Sequence, residues 1–441
     1  MVSRCTSYVM LVLALLFANL PGTKHIYHSI LETNIQIHLF DSHGNFDFLF
    51  PADMTVEKFI NDILMVIFFF TVGLEIKREI AHGELSSPKK ALLPVIAAIG
   101  GVAFPALIYA IINKGTMASS GWGIPTATDI AFAVCILSVL GNKVPTAMKV
   151  FLTALAIADD LIAILVVALF YGGKINLLLL AISFGVIAIA LVLRAIGEKN
   201  MFPYLVCAFA VWVLFYYSGI HATMSGVVMA FLIPSHSLYN KSQYYHKRNK
   251  YIARLDAYDG IDNEPFPNGP QKHCLRKLES IAHGSLDMSY RVEHALSGWV
   301  NFLILPIFAL ANSGVEISDP SLFNIFAFDP EMGSVTMGIF LGLVLGKPIG
   351  ITLLSFISVK LKIGAMPEKT NWAMFFAVAC LGGIGFTMSI FVDTLSFGEQ
   401  SVEVMTHLRN AGKIAILLGS ITAGVFGTVL VNLTSKLSKK K

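Results

Sequence analysis

Apolar residues along this chain fall in long blocks instead of at the every-third-or-fourth positions of an amphipathic helix. Blocks near the roughly 17–25 residues a helix needs to cross a bilayer lie at about residues 6–21, 59–81, 91–112, 121–140, 147–171, 177–195, 203–217, 219–234, 293–313, 335–359, 372–394 and 409–433. A helix that is apolar on every side belongs in lipid or deep in a core, so the pattern predicts twelve transmembrane helices. The division within "FYYSGIHAT" rests on Ser218-Gly219 alone. The first block, in "MVSRCTSYVMLVLALLFANLPG", has the outline of a leader peptide, but eleven apolar blocks behind it make a retained first span the expectation.

Composition agrees. Residues are 55% hydrophobic and only 14% charged, against about 25% charged in soluble domains, so the fold class is an all-α integral membrane protein. The net charge of +4 is small and spread between apolar blocks, which excludes a nucleic-acid-binding face. Five scattered cysteines, with no CxxC pair, read as small packing residues.

The chain divides into a first span and outer loop (1–58), spans two to eight (59–234), a polar insertion (235–290), spans nine to twelve (291–433) and a basic tail (434–441). One alternating set of loops holds Lys77, Arg78, Lys143, Arg194, Lys199, Lys360 and Lys362, together with the insertion and the tail; the other holds Asp41, Asp47, Asp53, Glu316, Asp319, Asp329 and Glu331. Lys and Arg mark the cytoplasmic side. Both termini and the insertion are therefore expected in the cytoplasm, the insertion as a solvated loop with a helical piece near "CLRKLESIAHG".

Two spans are interrupted. "GWGIPTATDIAFAV" and "LGGIGFTMSIFVDT" place Pro and Gly inside helices, and backbone groups freed at membrane depth are tolerated only against protein or a watery cavity. Paired interruptions in two halves of a transporter point to its binding site. Sliding the chain by about 260 residues lays the first motif on the second, with Asp129 on Ser389 and Asp159-Asp160 on Gly419-Ser420.

Among the ionisable residues within the spans, Asp62, Glu75, Asp129, Asp159, Asp160, His221, Glu293, His294 and Lys347 stand out. A carboxylate at mid-bilayer costs about 2.5–3.5 kcal/mol even on lenient scales, so the adjacent pair in "LAIADDLIAILVVALFY" calls for a role. Helix neighbours point about 100° apart; one aspartate can therefore meet a cation from another helix while the other faces a cavity. Lys347, in "GLVLGKPIGI", is the deep base available to pair with one of them. Asp129 follows Thr126 and Thr128 at a helix break, where a carboxylate is stabilised by the positive helix end and freed carbonyls supply hard oxygen ligands suited to an alkali cation. Carboxylates that hold either protons or a cation, never both, exchange one for the other. No resident cofactor is expected, and no enzymatic chemistry.

At these residues the chain resembles the NhaA family of bacterial sodium/proton antiporters, through "INDILMVIFFFTVGLEIKREI", "GIPTATDIAFA", "LTALAIADDLIAI", "GIHATMSGV", "RVEHALSGWVNFLILPIFALANSGV", "GLVLGKPIGI" and "GGIGFTMSIF". The resemblance implies an inverted-repeat fold with two broken, crossing helices, and electrogenic, pH-regulated export of Na⁺ or Li⁺ against protons. It implies that Asp159 and Asp160 carry the cation and protons, that Asp129 and Thr128 compensate charge at the crossing, and that Lys347 pairs with Asp159. Glu75, Arg78, Glu79, His221, Arg291, Glu293 and His294 match regions the family uses for pH response. A bacterial inner-membrane homodimer is implied as well. Tyr290 and Ser297 stand where the family often carries a base and a histidine, and the insertion is longer than the family pattern needs.

Three other classes are weighed against this. An intramembrane aspartyl protease needs two facing aspartates and gives Lys347 no role. A channel calls for a ring of acids or carbonyls. A proton-coupled transporter of a small organic substrate is the alternative that periodicity leaves open.

Overall fold

The computed structural model describes residues 2–35, 39–41, 44–46, 54–173, 175–198, 200–235, 237, 239–257, 267, 269–315, 323–368, 370–397 and 402–438. Asp47, Asp53, Lys199, Glu316 and Asp319, used above for orientation, lie outside them. Seven helices are long and apolar enough to cross a membrane: Val56–Ala81, Ala91–Ile112, Thr146–Phe170, Leu177–Ile196, Met288–Asn312, Val335–Lys360 and Val404–Leu437. Three more apolar pairs are sharply bent, and Phe202–Ser218 and Thr223–Leu232 are shorter. Every apolar block has its helix. The doubtful division is real: Gly219 ends Met201–Ser218 with φ +85°, a left-handed cap that glycine adopts without strain.

The first bent pair turns by 108° from Val9–Asn19 into Lys24–Glu32, which Tyr27 ties down by donating its hydroxyl to the Leu310 carbonyl at 2.6 Å. The other two are the interrupted spans, Met117–Thr126 with Ile130–Lys143, bent by 41°, and Trp372–Leu381 with Phe386–Ser396, bent by 53°. As fourth and eleventh of twelve spans they run in opposite directions. Their breaks touch, because the Asp129 amide donates to the Ile384 carbonyl at 2.7 Å.

The helix starts at the two breaks are capped by Asp129 and Gly385. Asp129 therefore corresponds to Gly385 instead of Ser389, which shifts the repeat by one helical turn from the register read in the sequence. The missing carboxylate is replaced from elsewhere: Ser420 Oγ accepts the Gly385 and Phe386 amides at 3.1 and 3.2 Å.

Close approach of two helices brings the deep lysine to the centre. Gly342, Gly346 and Gly350 are spaced four apart and face Pro105, Ile108 and Gly100 of the helix Pro88–Ile112, the small-residue pattern by which membrane helices come close. A methyl group on Gly350 would meet the Gly100 carbonyl. Gly350→Ala is expected to lower stability by about 1–3 kcal/mol, the usual cost of overpacking. A drop in the melting temperature of the purified protein checks this; an unchanged value would mean the two helices part freely.

Outside the spans, two short strands, Leu39–Asp41 and Gly44–Phe46, pair antiparallel with Leu39 opposite Phe46. The insertion carries two helices, Lys241–Asp256 and Gly269–Gly284, packed on each other, where the sequence reading placed one. Asn240 and Gln243 form a reciprocal capping box at the start of the first, and such a box nucleates a helix that hydrophobicity does not announce.

Candidate ion-binding site

The site forms where the helix Thr146–Phe170 passes the crossing of the broken spans. Asp159, Asp160, Asp129, Thr128 and Lys347 are all buried, none more than 3% exposed. A π-helical turn at Gly342–Gly346 precedes Lys347, and Pro348, which lacks an amide hydrogen, follows it, so the helix is loosened where the lysine leaves it. Lys347 Nζ lies 2.7 Å from Asp159 Oδ2 and also donates to Thr128 Oγ1. The single Thr128 proton is shared between two acceptors, Asp159 Oδ2 at 2.6 Å and the Gly382 carbonyl at 2.9 Å. The lysine, the first break, the second break and Asp159 thus meet at one hydroxyl.

Asp129 is held differently. It accepts from the Phe132 amide at 3.2 Å, and from the Thr387 amide at 3.2 Å and the Thr387 hydroxyl. The amides belong to the first turns of Ile130–Leu140 and Phe386–Ser396. One carboxylate therefore caps both half-helices, where their positive ends stabilise its charge.

Asp160 has no such support. Its Oδ1, like Asp159 Oδ1, is buried and without a hydrogen-bond partner. Lys347 reaches Asp159 only, as the angular spacing of helix neighbours requires. A buried carboxylate oxygen without a donor is costly unless the group takes up a proton or a cation. Two such oxygens on adjacent residues, beside a threonine hydroxyl and a helix-break carbonyl, form a hard-oxygen set.

The residues expected in pH response fall in two places. Arg78 pairs with Glu293 and lies 3.5 Å from Glu79 and 3.9 Å from Glu75. His294 stacks on Tyr290, rings 6.0 Å apart and 3° from parallel, and Arg291 Nε is buried without a hydrogen-bond partner. His221 stands apart, 3.4 Å from the Thr223 hydroxyl and edge-on to Phe391 of the second broken span.

Sequence reading did not single out Thr387 or Asp393, and it named Ser420 only as the residue the repeat lays on Asp160, not as a helix cap. Asp393 was legible, since it stands inside the quoted motif "LGGIGFTMSIFVDT"; Ser420 carries no local signal, because its hydroxyl acts on a segment 34 residues away.

Residues 3–431 match the family model described as Na+/H+ antiporter 1. The chain belongs to that family. It is 42% identical over 430 residues to the Na(+)/H(+) antiporter NhaA of Sulfurimonas denitrificans, covering 97% of this chain and 92% of that one. It is 39% identical over 434 residues to the protein of the same name from Helicobacter pylori, covering 98% and 93%. Among solved structures, it resembles the sodium proton antiporter MjNhaP1 of Methanocaldococcus jannaschii with a TM-score of 0.52 at 13% identity, over 96% of this chain and 91% of that one. That likeness carries the antiporter-type helical fold across distant sequences, and the family assignment fits the two broken spans crossing beside a buried aspartate pair.

Proposed function

We propose that this protein exchanges Na⁺ or Li⁺ for protons, with Asp159 and Asp160 as the shared carrier, and that it is a transporter and not an enzyme. The observation that carries the reading is the pair of buried, undonated oxygens on adjacent aspartates, only one of which is neutralised by Lys347. Protonation and cation binding are alternative ways to relieve them. If the two carboxylates, or Asp160 and the Asp159–Lys347 pair, release two protons for each monovalent ion, the cycle carries charge. Asp129 and Thr128 hold the crossing together during exchange.

The excess of Lys and Arg in one alternating set of loops supports a cytoplasmic position for both termini and the insertion in a bacterial inner membrane, with cations leaving and protons entering. The Arg78, Glu75, Glu79 and Glu293 cluster then lies at the inner face. The grouping of three carboxylates around one guanidinium at that face supports a role in pH response; Arg291, His294 and, separately, His221 join that proposed role. Homodimerisation, implied by the family resemblance, completes the reading, and no resident cofactor takes part.

The test is sodium-induced dissipation of a preset pH gradient in proteoliposomes between pH 6 and 9, with a potassium-diffusion potential imposed. Na⁺ and Li⁺ are expected to release the gradient at a rate that varies with the potential. A rate indifferent to potential would overturn the charge stoichiometry. No response to Na⁺, Li⁺ or K⁺ would overturn the exchange reading.

A further inference from the structure

A second buried carboxylate stands outside the site just described. Asp393, in the helix Phe386–Ser396, has no solvent exposure, and neither of its oxygens has a hydrogen-bond partner. Gly412 of the final helix sits so close that a methyl group there would run into the carboxylate, so the Asp393 side chain packs directly on the backbone of the final helix. Its charged neighbours are Arg409 and Lys413 of the final helix. Neither forms an ion pair with it; Arg409 donates to the Thr394 carbonyl instead. Two phenols also lie within its electrostatic reach, Tyr109 and Tyr171, and they donate elsewhere, to the Ala118 and Ser120 carbonyls at 2.9 and 2.8 Å.

Two surroundings give the carboxylate something to do. On one side, Arg409 and Lys413 line a polar cavity of about 860 Å³, together with Lys24, His28, Glu32 and Glu57. Under the orientation proposed above this cavity opens outward. On the other side, Ser389 lies one helical turn back toward the break, fully buried, with its hydroxyl also unpartnered. One further turn leads to Gly385, where a methyl group would meet that same hydroxyl. Asp393, Ser389 and Gly385 therefore form one stripe, each step one helical turn or about 6 Å along the axis. The stripe ends at the crossing held by Asp129.

We propose that Asp393 is a proton-transfer residue between the outer cavity and the crossing of the broken spans. It takes a proton from water in the cavity, gives it up along Ser389 toward the aspartate pair, and returns to its starting charge, so the step conserves protons and needs no other reactant. The inference rests on the exchange reading.

The test compares two transport modes of the full-length protein in proteoliposomes. Asp393→Asn keeps the shape and removes the titrating group. It is expected to slow Na⁺/H⁺ exchange roughly a hundredfold, the low end of what a positioned proton-transfer group contributes, while ²²Na⁺/Na⁺ exchange at equal pH proceeds at the wild-type rate. Ser389→Ala is expected to slow the coupled mode alone, by a smaller factor. Equal slowing of both modes, with a lower melting temperature, would make Asp393 a structural residue and overturn the proposal; wild-type rates in both modes would overturn it too. Absence of coupled exchange in the wild type would remove the antiport reading first and this one with it.

Discussion

Asp160→Asn is expected to abolish sodium-driven proton movement and to leave the protein folded. The substitution keeps shape and volume at a residue only 2% exposed but removes the one carboxylate of the pair that Lys347 does not reach. Two unit charges about 4 Å apart interact by roughly 4 kcal/mol at an effective dielectric near 20, close to three decades in cation affinity. Removing a carboxylate that lacks donors also removes a burial cost, so the melting temperature in sodium-free buffer should equal or exceed that of the wild type. Sodium should raise the wild-type melting temperature by mass action and leave the variant unmoved. The checks are exchange in proteoliposomes and thermal melting with and without Na⁺. Full exchange in the variant would remove Asp160 from the site.

Lys347→Ala has the largest expected effect on stability. It strips the cation from a pair whose members are 0% and 1% exposed, and breaking a buried pair from one side typically costs about 3–5 kcal/mol because the remaining charge is stranded. It also withdraws the donor from Thr128, loosening the contact with the Gly382 carbonyl. Lys347→Gln separates lost charge from lost packing. The double variant Lys347→Gln with Asp159→Asn should recover most of the stability, since a neutral pair strands nothing. Thermal melting of the wild type, Lys347→Gln, Asp159→Asn and the double variant reads the coupling, and a melting temperature unchanged in Lys347→Ala would mean the pair does not hold the site.

The spans were legible because lipid leaves no polar face to hide: every apolar block has its helix. Asp159, Asp160 and Lys347 stood out for the opposite reason, as charges where charge is expensive. Their meeting at the crossing was foreshadowed by Pro125 and by Gly382, Gly383 and Gly385, residues that interrupt a helix by their own chemistry. What stayed hidden depends on partners distant in sequence. Nothing near Ser420 says that its hydroxyl caps a helix 34 residues away, and the repeat register slipped by a turn because the first break supplies its own cap and the second borrows one. The helix Lys241–Asp256 was overlooked because its start is written in the polar pair Asn240 and Gln243 and not in hydrophobic spacing.

The double grip of Asp129 has a mechanical consequence. Because one carboxylate holds the first turns of both half-helices, the broken spans are pinned at their crossing like the blades of scissors at the rivet. Sliding one past the other would take the Thr387 amide and hydroxyl away from the Asp129 carboxylate. Motion that exposes the aspartate pair to alternate sides must then carry the pinned pair as one piece against the surrounding helices. The close Gly100–Gly350 contact ties the helices Pro88–Ile112 and Lys347–Lys360 to each other in the same way.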